Sequence, residues 1–490
     1  MANSTTVQPR STPSSRRRPP GPRTRVHPRH STGGRRRGSV SSPGWLARNL
    51  GKGREARDAR RAKQSLKALE RDTLPLLPKE EVESLAHECG FYQRQPRAIE
   101  AFSFALCCSM AALAEGKRGF ASVWRLLSAA AGVDVARSAV TQRFGDGSAK
   151  LMEELFVRAV AKLPSTPAPE LLSRLKEFRQ VLADDGSVVT LSPLLSKLFP
   201  ATRTNSVAAA GKVHATADLV QRRIIAVEVT GERESELAIA RAHPPKPGVL
   251  YMRDLGYTSY DHFAEIKGAK AHLLYRLKDN ANPILVAVRH GVLAPAEAVR
   301  LALGLNSPEL RFTASRRTFD VDARFETKNG AETLRVVGVF NPSTAKYHCY
   351  VTTLSPDDWT PEDLAALYPL RWVIELLFKL LKSSCHLDHL DTSDPGALRT
   401  HIYSSLLAAT ILSSVCHAAA TAEGVPVSII SAQVAGIAAP ILVMQLTWLY
   451  FGRSPTLEEL ADSIVRVVAF GCRNQNPKRT RQQWGKLGHQ

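Results

Sequence analysis

Four side chains that could bind a metal ion and a phosphate recur at helical spacing in the last quarter of the chain. They are Tyr368, Arg371, Glu375 and Lys382. On a helix with about 100° per residue, all four project from one face within about 60°. A carboxylate between two cations and a phenol suits a metal ligand flanked by phosphate-binding groups. The more common origin of such a pattern is an amphipathic helix with a solvated charged face.

Two further carboxylates stand upstream, at the ends of predicted strands. An apolar strand from Phe178 runs into Asp184-Asp185-Gly186-Ser187, and a short apolar strand from Gly248 ends at Asp254. Ligands of α/β sheets collect at such strand ends. Two aspartates and a glutamate on a later helix supply the hard oxygen ligands that two Mg²⁺ ions, or Mn²⁺ in their place, require for phosphoryl transfer.

The order of the predicted elements indicates an α/β domain with a mixed sheet. Strands are predicted near 178–191, 213–219, 223–229, 248–254 and 271–277, with helices near 233–243 and 262–268. Residues 279–355 are then predicted to form a β-rich insertion. There apolar and polar residues alternate over 319–326, and Asn329-Gly330 predicts a hairpin turn.

Three blocks of this sequence resemble the signature blocks of DDE-type insertion-sequence transposases. The blocks are Asp185-Gly186-Ser187, Asp254-Leu-Gly256-Tyr257 and Tyr368-x2-Arg371-x3-Glu375-x6-Lys382. The third is similar, in residue type and spacing, to the Tyr-Arg-Glu-Lys signature of one large group of these enzymes. The resemblance covers roughly residues 170–400.

The resemblance implies an RNase H-like catalytic fold with a β-rich insertion between the second aspartate and the glutamate. It assigns catalysis and the binding of two Mg²⁺ ions to Asp185, Asp254 and Glu375. It also implies that Arg371 and Lys382 hold DNA phosphates near the element end, with support from Tyr368. Such enzymes cut double-stranded DNA at terminal inverted repeats and join the 3′-hydroxyls to target DNA, often as homodimers. A DNA-binding derivative without catalysis and a nuclease without strand transfer are the alternatives.

Several neighbours of these residues have more than one interpretation. We assign the first ligand to Asp185 because it directly precedes the Gly-Ser pair, whereas Asp184 points to the other side of the strand. Arg253 is expected to pair with a surface carboxylate rather than to hold a phosphate. Lys212 and His214 could approach the metal site, although a core or surface position is the favoured interpretation.

Charge is concentrated at the start of the chain. Residues 1–67 contain 18 Lys and Arg against Glu55 and Asp58, which gives +16 of the total +21. Such a basic arm indicates a polyanionic partner, most often nucleic acid. Residues 1–45 are mainly Arg, Pro, Ser and Gly, a composition typical of disorder. We favour nonspecific DNA contact over a solubilising extension for this arm.

The chain is thus predicted to contain six segments. They are the Arg-rich arm (1–45), a helical DNA-binding domain (46–170), the first part of the catalytic core (171–278), the β-rich insertion (279–355), the second part of the core (356–398) and a helical C-terminal region that is a candidate for dimerisation (399–490). Within the second segment, residues 121–144 resemble a helix-turn-helix, a pattern that small helical bundles also produce.

The sequence favours a cytoplasmic, nucleoid-associated protein of a prokaryote. Its seven cysteines form no CxxC pair, and no apolar segment follows the first arginines. Residues 400–422 and 425–451 are long enough to span a bilayer, but they are rich in Ala, Ser and Thr. Buried helices are the favoured interpretation and membrane segments the alternative. Cys385 and His386 lack a second cluster that would complete a zinc site.

Overall fold

The structure is a computed structural model that describes most of the chain. The described residues are 43–92, 98–114, 119–163, 174–202, 207–220, 223–278, 281, 283–290, 318–341, 346–387, 390 and 392–473. The predicted Arg-rich arm lies outside them except for residues 43–45, at the start of a helix. The described residues from 56 onward form one compact unit.

One sheet of nine strands runs through the larger unit. The strands are β1 (Gln180–Leu191), β2 (Ala209–Asp218), β3 (Arg223–Gly231), β4 (Val249–Arg253), β5 (His272–Arg276), β6 (Ile284–His290), β7 (Thr318–Thr327), β8 (Gly330–Asn341) and β9 (Lys346–Thr352). Their order is β3-β2-β1-β4-β5-β9-β8-β7-β6. The first three strands are antiparallel, whereas β4 and β5 run parallel to β1. This mixed arrangement confirms the predicted RNase H-like α/β fold.

The β-rich insertion continues the core sheet instead of forming a layer of its own. Strand β9 pairs antiparallel with β5, and β8, β7 and β6 follow outward from it. The hairpin predicted at Asn329-Gly330 joins β7 to β8, and Gly330 has a φ of 131° that favours glycine. Residues 291–317 of the insertion lie outside the described residues.

Thirteen helices belong to the described part of the chain. They are α1 (Pro43–Asp72), α2 (Lys79–Glu88), α3 (Ala101–Leu113), α4 (Phe120–Ala129), α5 (Arg137–Thr141), α6 (Asp146–Lys162), α7 (Glu236–Ala242), α8 (Tyr260–Gly268), α9 (Pro361–Leu367), α10 (Trp372–Ser383), α11 (Pro395–Ala422), α12 (Ala432–Phe451) and α13 (Leu457–Arg466). A π-helical turn, Val467–Gly471, follows α13.

The helices from the two ends of the chain pack against each other. Ser148 on α6 shares a 2.8 Å hydrogen bond with Thr400 on α11, and the Tyr403 hydroxyl donates to Glu153 at 2.7 Å. Both helices contribute to one hydrophobic core. The two helical segments that were predicted separately therefore share a core, and their boundaries remain predictions.

The helix-turn-helix prediction falls on α4 and α5. Gly132 has a φ of +65° in the turn between them, and Arg453 donates to the carbonyl oxygens of Ala130 and Ala131. Only five residues, Arg137–Thr141, form the second helix. A role of this exposed short helix in DNA reading remains a prediction.

Side chains on the core strands alternate between two faces of the sheet, as the period of two requires. Val181 and Ala183 on β1, with Leu250 and Met252 on β4, belong to the core shared with α10 and the helical layer. Leu182 belongs to a second core that contains residues of α7 and α8. We call these the α10 face and the α7 face of the sheet.

Two helices are long and apolar enough to cross a bilayer, α11 and α12. The most apolar window of α11 is 78% buried inside the protein, which is typical of a core helix. The window of α12 is 44% buried, and its Ile437 and Ile441 side chains are exposed. Burial of α11 agrees with the favoured interpretation of the first stretch.

Helix α10 is fixed from behind by a close approach to α12. Ile374 and Leu381 of α10 are fully buried. A methyl group on Gly436 of α12 would lie 2.4 Å from the Ser384 hydroxyl oxygen and 2.6 Å from Leu380. Glycine at this position therefore allows the two helices to touch.

We expect Gly436→Ala to lower the free energy of unfolding by about 1–3 kcal/mol, because the added methyl group overpacks the α10–α12 contact. Gly471→Ala is the matched control, since a methyl group there would meet no atom within 4 Å. Thermal or denaturant unfolding measures both variants. Equal midpoints for the two variants would contradict the close approach.

Candidate active site

The two adjacent aspartates of β1 lie on opposite faces of the sheet. Asp184 lies on the α7 face, where it accepts a 2.5 Å hydrogen bond from the Thr216 hydroxyl and pairs with Arg253. Asp185 follows Ala183 on the α10 face, where its nearest cation is Arg371 at 4.0 Å. The alternation therefore gives Asp184 a structural partner and leaves Asp185 facing α10.

Arg253 anchors the end of β4 from the α7 face. Its side chain is 4% exposed and donates to Asp184, to the His262 ring and, at 3.0 Å, to the Tyr275 hydroxyl. The expectation of a carboxylate partner is right, but the expected surface position is wrong. Because the arginine is buried and paired, it fixes the backbone immediately before Asp254.

The strand register brings Asp185 and Asp254 together. Ala183 of β1 is the parallel partner of Met252 of β4, so two residues further on Asp185 lies beside Asp254. The predicted position of Asp185 at a strand end is wrong, because β1 continues to Leu191 through its pairing with β2, whereas Asp254 does follow the end of β4. The Gly186 amide donates to Asp185 at 2.9 Å, and the Gly256 amide donates to Asp254 at 2.8 Å. Each carboxylate is thus oriented by the glycine of its own signature block.

The segment before α10 differs from the continuous helix that the spacing predicts. Residues Tyr368–Arg371 form a 3₁₀ helix, and α10 begins at Trp372. Proline at 369 lacks the backbone donor that a continuous α-helix would use. The tighter turn buries the Tyr368 side chain, whose hydroxyl donates to the Arg253 carbonyl oxygen at 3.3 Å. Tyr368 therefore holds the end of β4 from the α10 face.

Arg371 is buried between two of the predicted metal ligands. Its guanidinium donates to Glu375 at 2.5 Å and lies 4.0 Å from Asp185. The arginine is 6% exposed, whereas the Glu375 side chain is 44% exposed. A buried arginine is not part of a solvated charged face, so the amphipathic-helix alternative does not describe this segment.

The electrostatics of Asp185 reflect its crowded position. Burial raises the pKa of its carboxyl to about 6, while the Arg371 charge and the Gly186 amide oppose the shift. The neighbouring Asp254 and Glu375 carboxylates raise the pKa further. Asp254 and Glu375 are therefore both close enough to Asp185 for their charges to act on it.

The donor set of this site fits a divalent cation of the magnesium type. Carboxylate oxygens are the ligands that Mg²⁺ prefers. In the part of the chain that the structure describes, no three His, Cys, Asp or Glu side chains enclose a position for an ion. The Arg371 guanidinium lies between Asp185 and Glu375.

The remaining predicted residues are placed as follows. Lys382 is half-buried in the last turn of α10, and its phosphate contact remains a prediction. Lys212 lies 3.7 Å from Glu236, and a methyl group on Gly186 would lie 3.2 Å from its side chain. His214 is buried, and burial lowers its pKa to about 4. Cys385 is buried, while residues 388, 389 and 391 of the considered zinc motif lie outside the described residues.

Sequence reasoning missed Glu236, the first residue of α7. Its carboxylate is half-buried beside Lys212, and burial raises its pKa. The helical pattern near 233–243 gave its helix, but nothing in that pattern separates Glu236 from the other acidic residues around it.

Known proteins resemble this chain over the region that contains the site. Residues 176–411 match the family model described as a transposase DDE domain. The transposase for insertion sequence element IS231F of Bacillus thuringiensis subsp. israelensis is 22% identical over 371 residues, covering 68% of this chain and 76% of the relative.

A second group of relatives matches a shorter region. The transposase for insertion sequence element IS421 of Escherichia coli is 34% identical over 122 residues, which are 25% of this chain. The chain spans about 30% of the length of the Escherichia coli relatives that it matches. A structure of the piggyBac transposase synaptic complex with hairpin DNA aligns at a TM-score of 0.41 and 12% identity, covering 84% of this chain and 88% of that chain.

We expect Asp185→Asn to change the pH dependence of stability in the metal-free protein. Because the folded pKa is raised to about 6, the contribution of Asp185 to stability is fully present below about pH 4 and is lost as the pH rises to about 6. The asparagine variant should escape this loss and gain about 2–3 kcal/mol over wild type at pH 7. Unfolding measured from pH 4 to pH 8 gives the profile.

Asp184→Asn is the matched control for this experiment. It removes the charge that pairs with buried Arg253, so it should be destabilised at pH 7 by about 3–5 kcal/mol. Parallel pH profiles for wild type and Asp185→Asn would contradict the burial of Asp185 among like charges.

Proposed function

We propose that this chain, whose residues 176–411 match the transposase DDE domain, moves an insertion sequence as a DNA transposase. In this proposal it binds the terminal inverted repeats, cleaves the DNA at the element ends and joins the 3′-hydroxyls to target DNA. Asp185, Asp254 and Glu375 are the catalytic residues and metal ligands.

The observation that carries the proposal is the electrostatic grouping around Arg371. Asp185 within β1 and Asp254 after β4 lie beside each other near the helix that contributes Glu375, and a buried guanidinium lies between Asp185 and Glu375. Like charges are gathered this way at considerable cost in a partly buried site. Binding of a divalent cation and a DNA phosphate would account for this grouping of charges, which packing alone does not require.

The residues of the site have separate tasks in this mechanism. Two bound Mg²⁺ ions would supply Lewis acidity for the attacking water or 3′-hydroxyl and for the leaving oxygen. The carboxylates of Asp185 and Asp254 are oriented by hydrogen bonds from the Gly186 and Gly256 amides. Glu375 completes the ligand set from α10.

Arg371 changes partner in the proposed cycle. In the metal-free protein it offsets the charges of Asp185 and Glu375. When ions and DNA enter the site, we infer that it leaves Glu375 and contacts a backbone phosphate, together with Lys382 further along α10. Tyr368 supports the end of β4 in both states through its hydrogen bond to the Arg253 carbonyl.

The partners in this proposal are double-stranded DNA, at the element ends and at the target, and a second copy of the chain. The total charge of +21 favours DNA association through phosphate contacts. We place the protein in the bacterial cytoplasm, on the nucleoid, with α11 and α12 as helices of a soluble protein.

Two assays run side by side test the proposed reaction. One offers DNA with intact element ends and scores cleavage, and the other offers pre-cleaved ends with target DNA and scores joining. We expect both products in the presence of Mg²⁺ or Mn²⁺. Cleavage without joining would indicate a nuclease, and binding without either reaction would indicate a DNA-binding derivative.

Glu375→Gln should abolish both products, a fall of at least 10³-fold, and leave end binding intact, because it removes a ligand charge without changing the shape of α10. Glu362→Gln, at an exposed residue of α9, is the matched control and should behave as wild type. Gel-shift titration measures binding beside the two assays. A Glu375→Gln variant that loses end binding together with catalysis would mean that the residue is structural.

A further inference from the structure

Glu236 approaches the segments that contain Asp185 and Asp254 from the side of the sheet opposite to α10. It is the first residue of α7, which packs on the α7 face of the sheet. A methyl group on Gly186 would lie 2.8 Å from one Glu236 carboxylate oxygen. A methyl group on Gly256 would lie 2.6 Å from the other. The Glu236 carboxylate therefore occupies the space beside both glycines.

Those two glycines belong to the signature blocks of the two catalytic aspartates. Neither has the positive φ that would by itself demand glycine. The contact distances give a different reason, since any side chain at either position would displace the Glu236 carboxylate. Because both positions are glycine, the Glu236 carboxylate has room beside the backbone that follows Asp185 and Asp254.

Glu236 is also close to Asp254. The methyl position on Gly256 that lies 2.6 Å from Glu236 Oε2 lies 3.1 Å from Asp254 Oδ1, so these two oxygens are at most 5.7 Å apart. The Asp254 charge acts unfavourably on the charged form of Glu236. Two carboxylates so close need a cation between or beside them.

Lys212 on β2 supplies a cation in the metal-free protein. Its ammonium lies 3.7 Å from Glu236 and donates to the Glu234 carbonyl oxygen at 3.1 Å. The pairing is looser than a direct hydrogen bond with good geometry. It parallels the role of Arg371 on the other side, where a guanidinium stands beside Asp185 and Glu375.

We propose that Glu236 is a fourth carboxylate of the metal site, facing the ion at Asp254 from the α7 side, with Lys212 as its counter-charge until that ion binds. The inference rests on the proposed metal-dependent function and adds a residue outside the three signature blocks. Glu236 would raise the affinity for a divalent cation by adding negative charge and an oxygen donor.

Binding of Mn²⁺ to the full chain without DNA tests this inference apart from catalysis. Loss of the signal of free Mn²⁺ in electron paramagnetic resonance reports the bound fraction. We expect Glu236→Gln to weaken Mn²⁺ binding about tenfold. Glu234→Gln, an exposed residue two positions earlier, should bind as wild type. Lys212→Met should have the opposite effect and bind Mn²⁺ severalfold more tightly.

A purely structural Lys212–Glu236 pair makes a different prediction. Both variants would then lower the thermal midpoint of the metal-free protein, and neither would alter Mn²⁺ affinity. Wild-type affinity in Glu236→Gln, with binding abolished in Asp185→Asn, would overturn this inference and leave the proposed function standing. Equal Mn²⁺ titrations of wild type and Asp185→Asn would overturn both.

Discussion

Repulsion among the carboxylates of the candidate active site is the constraint on which the rest of the structure depends. Asp185, Asp254 and Glu375 must lie near one another, and burial of Asp185 makes its charge costly. The fold offsets this cost with a guanidinium inserted between Asp185 and Glu375. Arg371 is itself buried and pairs directly with Glu375.

Positions of the catalytic aspartates depend on anchors from both faces of the sheet. On the α7 face Arg253 pairs with Asp184, and on the α10 face Tyr368 binds the carbonyl oxygen of the same arginine. The residue that follows, Asp254, is thereby held at a defined height beside Asp185. Helix α10 owes its own position to the contact at Gly436. Residues outside the site thus fix its geometry.

Local pattern was sufficient for much of this site. Alternation along β1 separated Asp184 from Asp185, and the apolar strand before Asp254 located the end of β4, whereas β1 continues past Asp185 to Leu191. These features depend on a period of two and on neighbouring residues. The burial of Arg371 was not predictable in the same way, because the helical wheel assumes an α-helix from Tyr368, whereas Pro369 imposes a tighter turn.

Long-range contacts account for what the sequence could not predict. The pairing of β9 with β5, which merges the insertion with the core sheet, joins residues about 80 positions apart. The hydrogen bond between Ser148 and Thr400 spans 252 positions. Glu236 reaches the catalytic glycines from another element. No window of sequence contains these relations, because they exist only after the strands and helices have packed.

The central claim is that these carboxylates form an ion-binding site that Arg371 neutralises while the ions are absent. Anomalous diffraction from crystals of the full chain with and without Mn²⁺ tests it most directly. We expect anomalous peaks in contact with Asp185, Asp254 and Glu375, and an Arg371 side chain that has left Glu375. Absence of peaks at millimolar Mn²⁺, with the Arg371–Glu375 pair unchanged, would contradict the claim.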